Sequence, residues 1–126
     1  MNHRGRLGEH GEKLAVGYLR RKRYRILKTN FRNRFGEIDI IARQGDVLCF
    51  IEVKTRRSTE TGEPLESIDN RKQRQIFKTA TAFLQKRNLL DSHVRFDALG
   101  IKMGPAGTVE YELIDNAMDF SDFYPG

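Results

Sequence analysis

The stretch that decides the fold is Gly36-Glu37-Ile38-Asp39-Ile40-Ile41-Ala42, followed after Arg43-Gln44-Gly45-Asp46 by Val47-Leu48-Cys49-Phe50-Ile51-Glu52-Val53-Lys54. Both halves carry the β-branched and aromatic residues that favour strands, and Gly45-Asp46 suits a two-residue hairpin turn with glycine first. The stretch therefore predicts two antiparallel strands. Across such a loop Asp39 lies directly opposite Glu52, and Glu37 opposite Lys54. Opposed residues share one face of a sheet. Alternation then gathers Glu37, Asp39, Glu52 and Lys54 on one face, with Ile38, Ile40, Ile51 and Val53 on the other. A slip of one residue would undo this arrangement.

Two carboxylates held face to face repel each other, and a divalent cation removes that cost. Mg²⁺ is a hard ion that takes oxygen ligands, often one or two carboxylates completed by water and phosphate. Lys54, two residues beyond Glu52, can orient and deprotonate an attacking water or neutralise charge growing on a phosphate. Asp39, Glu52 and Lys54 are thus a minimal kit for metal-assisted hydrolysis of a phosphodiester. The same alternation also describes a plain hairpin with one solvated face, and taken alone the pattern fits that plainer reading better.

Outward from the hairpin, a first helix is predicted over about Leu7 to Arg23, with Gly11, Leu14, Ala15, Tyr18 and Leu19 forming one buried stripe. Tyr24 to Phe31 reads as a strand with Tyr24, Ile26 and Leu27 inward. The polar run from Arg56 to Pro64 reads as a mobile loop. A second helix spans about Asp69 to Arg87, capped by Ser67 or Asp69, with the stripe Gln73, Ile76, Phe77, Ala80, Phe83 and Leu84. Strands at His93 to Ile101 and Val109 to Ile114 flank a Gly104-Pro105-Ala106-Gly107 turn. The predicted order is α-β-β-β-α-β-β, a mixed α/β sandwich around a central sheet. A chain of 126 residues fits one domain, here 1–126, with a core of about 5–114 and an acidic tail, 115–126, expected to fray.

Composition narrows the function classes. Residues 1–34 hold 11 Lys or Arg against 2 acids, whereas residues 110–126 hold 5 acids and no Lys or Arg. That asymmetry points to an anionic partner met by one side of the molecule, and on charge alone nucleic acid and a basic domain with no specific partner fit equally well. The single Cys49 cannot form an internal disulfide, no apolar run is long enough to span a bilayer, and Met1 to Glu12 has no apolar signal region. A cytoplasmic location without membrane attachment is the expectation. His3, His10 and His93 have no metal-binding spacing, and Cys49 reads as a small buried hydrophobe.

The hairpin resembles the catalytic hairpin of the PD-(D/E)xK nuclease superfamily, in Gly36-Glu37-Ile38-Asp39-Ile40-Ile41 and Phe50-Ile51-Glu52-Val53-Lys54-Thr55-Arg56. More narrowly, the chain is similar to the YraN-like family of bacterial proteins. The likeness rests on Gly11-Glu12-Lys13-Leu14-Ala15, Asn30-Phe31-Arg32, Arg71-Lys72-Gln73-Arg74 and Arg95-Phe96-Asp97, and covers nearly all of 5–114. One departure is Ile38, which stands where the superfamily name has proline. The resemblance implies a restriction-endonuclease-like αβββαβ core close to archaeal Holliday junction resolvases. It also implies DNA cleavage dependent on Mg²⁺ or Mn²⁺, with DNA as partner and a homodimer as the working form.

Glu12 matches a first-helix glutamate that helps hold the metal in related resolvases. It is equally an ordinary acid complementing the helix dipole. Arg56 and Arg57 after Lys54, Lys72 and Gln73 at the start of the second helix, and Arg20 and Arg21 at the end of the first form a candidate DNA track. Any one of them reads as solvated charge. Asp97 reads as structural. The leading expectation is a metal-dependent endonuclease acting on branched DNA, and the alternative is a catalytically inactive nucleic-acid-binding module with the same fold.

Overall fold

In a computed structural model that describes residues 6–58, 68–118 and 120, the chain runs α1 (Arg6–Arg21), β1 (Arg25–Asn33), β2 (Gly36–Gln44), β3 (Val47–Arg57), α2 (Asn70–Lys86), β4 (Val94–Met103) and β5 (Val109–Ile114). The element order is the one expected. Among the described residues the five strands join one mixed sheet in the order β1-β2-β3-β4-β5, in which β3 and β4 are parallel and the other neighbours antiparallel. A parallel pair needs a crossover, and α2 supplies it. No helix among the described residues is long and apolar enough to cross a membrane.

The two helices cover opposite faces. Ala15 and Leu19 of α1 pack with Tyr24, Ile40, Ala42, Cys49, Ile51, Leu99 and Ile101. Ile76, Ala80, Phe83 and Leu84 of α2 pack with Ile38, Ile41, Leu48, Phe50 and Phe96. Thr79, absent from the predicted stripe, is fully buried because its hydroxyl donates to the Gln75 carbonyl at 2.7 Å and so needs no water.

The β2–β3 register is the one read from the turn: Gln44 faces Val47, and Ile40 faces Ile51. Gly45 has φ of 60°, and Asp46 is not among the residues with positive φ, as a turn with glycine first requires. The face assignment needs correction. Ile38 lies in the α2-side core, while Ile40 and Ile51 lie in the α1-side core. Alternation breaks at Asp39. In the neighbouring strand Thr29 faces Ile40 and Phe31 faces Ile38, and between them Asn30 takes the left-handed conformation, with φ of 52°. Both strands therefore turn over at the same level. Glu37, expected opposite Lys54, instead pairs with Arg32, its carboxylate 2.8 Å from the guanidinium.

Three further expectations change. Leu27 is the extra residue of a bulge between Ile26 and Lys28 and is 38% exposed, not inward. β3 does not end at Lys54 but pairs with β4 as far as Arg57, and the rest of the expected loop, from residue 59, lies outside the described residues. The tail is drawn in as far as Phe120. Met118 and Phe120 are buried, with the Phe120 ring edge-on to Phe96 at 4.3 Å. Residues 121–126 lie outside the described residues.

α1 ends in a Schellman turn: Tyr24 N–H donates to Leu19 at 2.9 Å and Arg23 N–H to Arg20 at 3.0 Å. The residue that must be left-handed is Arg23, with φ of 68°. Glycine adopts this conformation without steric cost. Arg23→Gly should therefore raise stability by about 1 kcal/mol, read as a higher urea midpoint at constant slope.

Candidate active site

The β2–β3 ladder stops at Ile40 and Ile51, one position before the expected carboxylate pair. Beyond it the Asp39 carboxylate takes the place of a backbone acceptor: Val53 N–H donates to Asp39 Oδ2 at 2.7 Å. β3 meanwhile continues along β4, with Glu52 beside Ala98 and Lys54 beside Gly100. The two strands part at the level where β2 turns over. Asp39 and Glu52 thus stand at one level on the two strands that part, and they are 5% and 4% exposed. Charged carboxylates are rarely so buried unless a cation or hydrogen bonds compensate them.

Regular alternation along β3 puts Glu52 and Lys54 on the α2 face with Leu48 and Phe50. α2 starts at the Asp69 cap, which accepts from Lys72 N–H at 2.9 Å. Its first turn then brings the Lys72 ammonium to 3.3 Å from Glu52 Oε1. Lys72, expected on a DNA track, is thereby a member of the site. Its neighbour Gln73 turns back, donating to the Ile68 carbonyl at 3.1 Å.

Glu12 approaches from the α1 face. Gly11 rests directly on Thr55, so that a methyl group at position 11 would overlap the Thr55 hydroxyl and lie 3.1 Å from Thr55 Cβ. This close approach sets the height of α1 above β3, and Glu12 then accepts from Asn30 Nδ2 at 2.8 Å. Asn30 stands level with Asp39 in the next strand. Glu12 is therefore held next to Asp39's neighbour, and no three His, Cys, Asp or Glu side chains among the described residues converge as a ready metal shell. Gly11→Ala should lower stability by about 1–3 kcal/mol through overpacking, because Thr55 is branched and cannot swing clear. Adding Thr55→Ala should return part of the lost urea midpoint.

The remaining expected cations are dispersed. Arg56 and Arg57 continue β3 opposite Lys102 and Met103. Arg20 lines a groove between α1 and β1 whose other end holds Glu12, two turns away, and Arg21 folds back over Gly17. These residues do not form one continuous track. Lys72 and Asn30 are the site members whose roles the sequence did not reveal.

The donor set is all oxygen: two buried carboxylates, without thiolate or imidazole. That suits a hard divalent ion such as Mg²⁺ or Mn²⁺, for which one or two carboxylates plus substrate phosphate are enough. The fit is good.

The model of the uncharacterised protein family UPF0102 matches residues 11–101. The chain belongs to this family. A UPF0102 protein of Geobacter sulfurreducens is 45% identical over 120 residues, covering 95% of this chain and 94% of the relative. One from Geobacter metallireducens is 47% identical over 120 residues, covering 94% and 97%. A third, from Persephonella marina, is 51% identical over 94 residues, covering 75% and 81%. The span matched by the family model takes in Glu12, Asp39, Glu52, Lys54 and Lys72. It therefore runs from the helix contact at Gly11 to the fourth strand of this UPF0102 protein.

Proposed function

We propose that this UPF0102 protein is a PD-(D/E)xK-type endonuclease that hydrolyses DNA phosphodiesters with Mg²⁺ or Mn²⁺, acting on branched DNA. The observation that carries the reading is the parting of β2 and β3 at the level of two buried carboxylates, one on each strand, with Lys54 two residues beyond Glu52 on β3. A hairpin with a merely solvated face would not bury them. Asp39 and Glu52 would hold the ion. When bound, the metal supplies Lewis-acid stabilisation at the phosphate and activates a water for attack. Asp39 is fixed by Val53 N–H, so one carboxylate oxygen is oriented before any ligand arrives. Lys54, two residues along β3 on the face of Glu52, would hold the attacking water and offset charge on the phosphate. Cleavage of both strands of a junction would call for a homodimer, and the resolvase resemblance favours that form.

One observation favours the second reading, an inactive DNA-binding module: the Lys72 ammonium already offsets Glu52. A cleavage assay over duplex, single-stranded, flap and four-way junction DNA, titrated with Mg²⁺ and Mn²⁺, separates the two. The nuclease reading expects cleavage of at least one substrate that stops on chelation. It also expects Asp39→Asn to lose both cleavage and calorimetric Mn²⁺ binding. Tight junction binding without cleavage at any metal concentration would leave the binding module as the function.

A further inference from the structure

The β1–β2 hairpin tip forms a second cleft that the proposed chemistry does not use. Its volume is about 600 Å³, within the range of ligand-sized clefts. Phe31, Phe35 and Phe83 provide aromatic walls, and Arg34, Lys86 and Arg87 stand at the rim. The Arg34 guanidinium lies 4.7 Å from the centre of the Phe35 ring, and that of Arg87 lies 4.5 Å from the centre of Phe83. A guanidinium stacked on a ring keeps its N–H edge free to bind phosphate.

The tip is preformed. Phe35 N–H donates to Asn33 Oδ1 at 2.9 Å, and Asn33 Nδ2 donates to the Thr79 carbonyl at 3.1 Å, tying the turn to α2. Gly36 completes the seat, because a side chain there would press on Gln75 and Thr79.

The cleft lies near the candidate active site along β2. It begins next to Gly36, three residues before Asp39, about 10 Å away at roughly 3.3 Å per strand residue. That is about three nucleotide steps at about 3.4 Å each. α2 runs past both, with Lys72 and the cleft residue Phe83 about 16 Å apart along it at about 1.5 Å per residue. At 100° per residue Arg71, Arg74, Lys78 and Lys86 fall on one exposed sector, and α2 contains no acid. The cationic sector begins beside Lys72 and Glu52 and ends at the rim of the cleft.

We propose that this cleft is a nucleotide subsite, taking an unpaired base of a DNA strand against its aromatic walls while Arg34 and Arg87 hold the adjoining phosphates. A base inside a continuous duplex is stacked between its neighbours and cannot enter such a cleft without being extruded. An unpaired base can stack on aromatic side chains regardless of its identity. The substrate class that follows is DNA with unpaired nucleotides beside the cut, as at flaps, gaps and open junctions. This inference rests on the proposed function only in taking DNA as the ligand.

The test is fluorescence anisotropy of the full chain in EDTA, with a labelled oligothymidylate and a blunt duplex of equal length. Wild type should bind the single strand more tightly. Phe35→Ala should weaken single-strand binding about tenfold, as loss of one base–aromatic stack predicts, and duplex binding less than about twofold. Arg34→Ala/Arg87→Ala changes exposed residues only, and should weaken the single strand by a similar factor with an unchanged urea midpoint. Equal losses on both DNAs, or wild-type single-strand affinity in the Arg34→Ala/Arg87→Ala variant, would overturn the subsite. Chelation makes this readout independent of cleavage. A protein that binds as predicted and never cuts keeps the subsite and loses the nuclease. One that cuts while both variants bind normally keeps the nuclease and loses the subsite.

Discussion

Lys54→Ala should leave folding and Mn²⁺ binding close to wild type and reduce DNA cleavage by at least about 10²-fold, the usual loss for a positioned acid–base group. The separation follows from the geometry. Both proposed metal ligands, Asp39 and Glu52, precede Lys54 and remain in place, and β3 keeps its pairing with β4 because Lys54 enters that ladder through its backbone, beside Gly100. What disappears is the ammonium of a residue whose backbone lies about 6.6 Å along the strand from that of Glu52, on the same face. Lys54→Arg should not restore the rate, since guanidinium stays protonated and is a different shape. Lys72→Ala gives the informative contrast. Lys72 touches Glu52 directly, so its loss should change metal affinity before it changes the rate at saturating metal. Equal cleavage by wild type and Lys54→Ala, with contaminating nuclease excluded, would remove the lysine from the mechanism.

The geometry of the candidate site was legible where the signal was local. Gly45-Asp46 set the hairpin register, and the register put Asp39 and Glu52 at the same level. The inversion at Asp39 was not legible, because it needs two strands to turn over together. Its one sequence trace is Asn30, a residue type that tolerates left-handed φ better than most and that stands beside Asp39 in the neighbouring strand. The Lys72 contact depends on where α2 docks, and a contact between residues 20 positions apart leaves no periodic signal. Charge alone relates the arginines at the end of α1 to the candidate site. Nine residues of α1 separate Glu12 from Arg21, about 13 Å at about 1.5 Å per residue, so the two serve different neighbourhoods.

For the fold, the helical stripes and strand order followed from periodicity, while the core's outer limit did not. Met118 and Phe120 sit among Asp115, Asp119 and Asp122, and the acids hid the two core residues. The segment is held by backbone contacts no pattern could foretell: Asn116 N–H donates to Asp97 Oδ1 at 2.9 Å, and Ala117 N–H to the Phe96 carbonyl at 2.7 Å.

Asp97 is consequently the residue on which the largest stability loss should fall. It is fully buried on the α1 face of the sheet. Its carboxylate accepts from Arg95 Nε at 2.8 Å, from the Tyr24 hydroxyl at 3.3 Å and from Asn116 N–H, while Arg95 also reaches Gln44 Oε1 at 2.7 Å. One acid thus ties α1's exit, the β2–β3 turn and the C-terminal segment to β4. Asp97→Ala leaves the Arg95 charge without its partner in a largely buried place, which should cost about 3–5 kcal/mol. Asp97→Asn preserves the shape and should cost less. The same network shapes the alkaline limb of stability. Burial, and then the charge of Asp97, push the Cys49 thiol from 9.0 up to about 11 and the Tyr24 phenol from 10.0 up to about 12. The folded protein holds these protons longer than the unfolded chain does, so stability is fully present below about pH 9 and falls as pH rises through about 12. Urea midpoints from pH 8 upward should decline in wild type and decline less in Cys49→Ala. An Asp97→Ala protein as stable as wild type would show that the carboxylate does not tie these segments together.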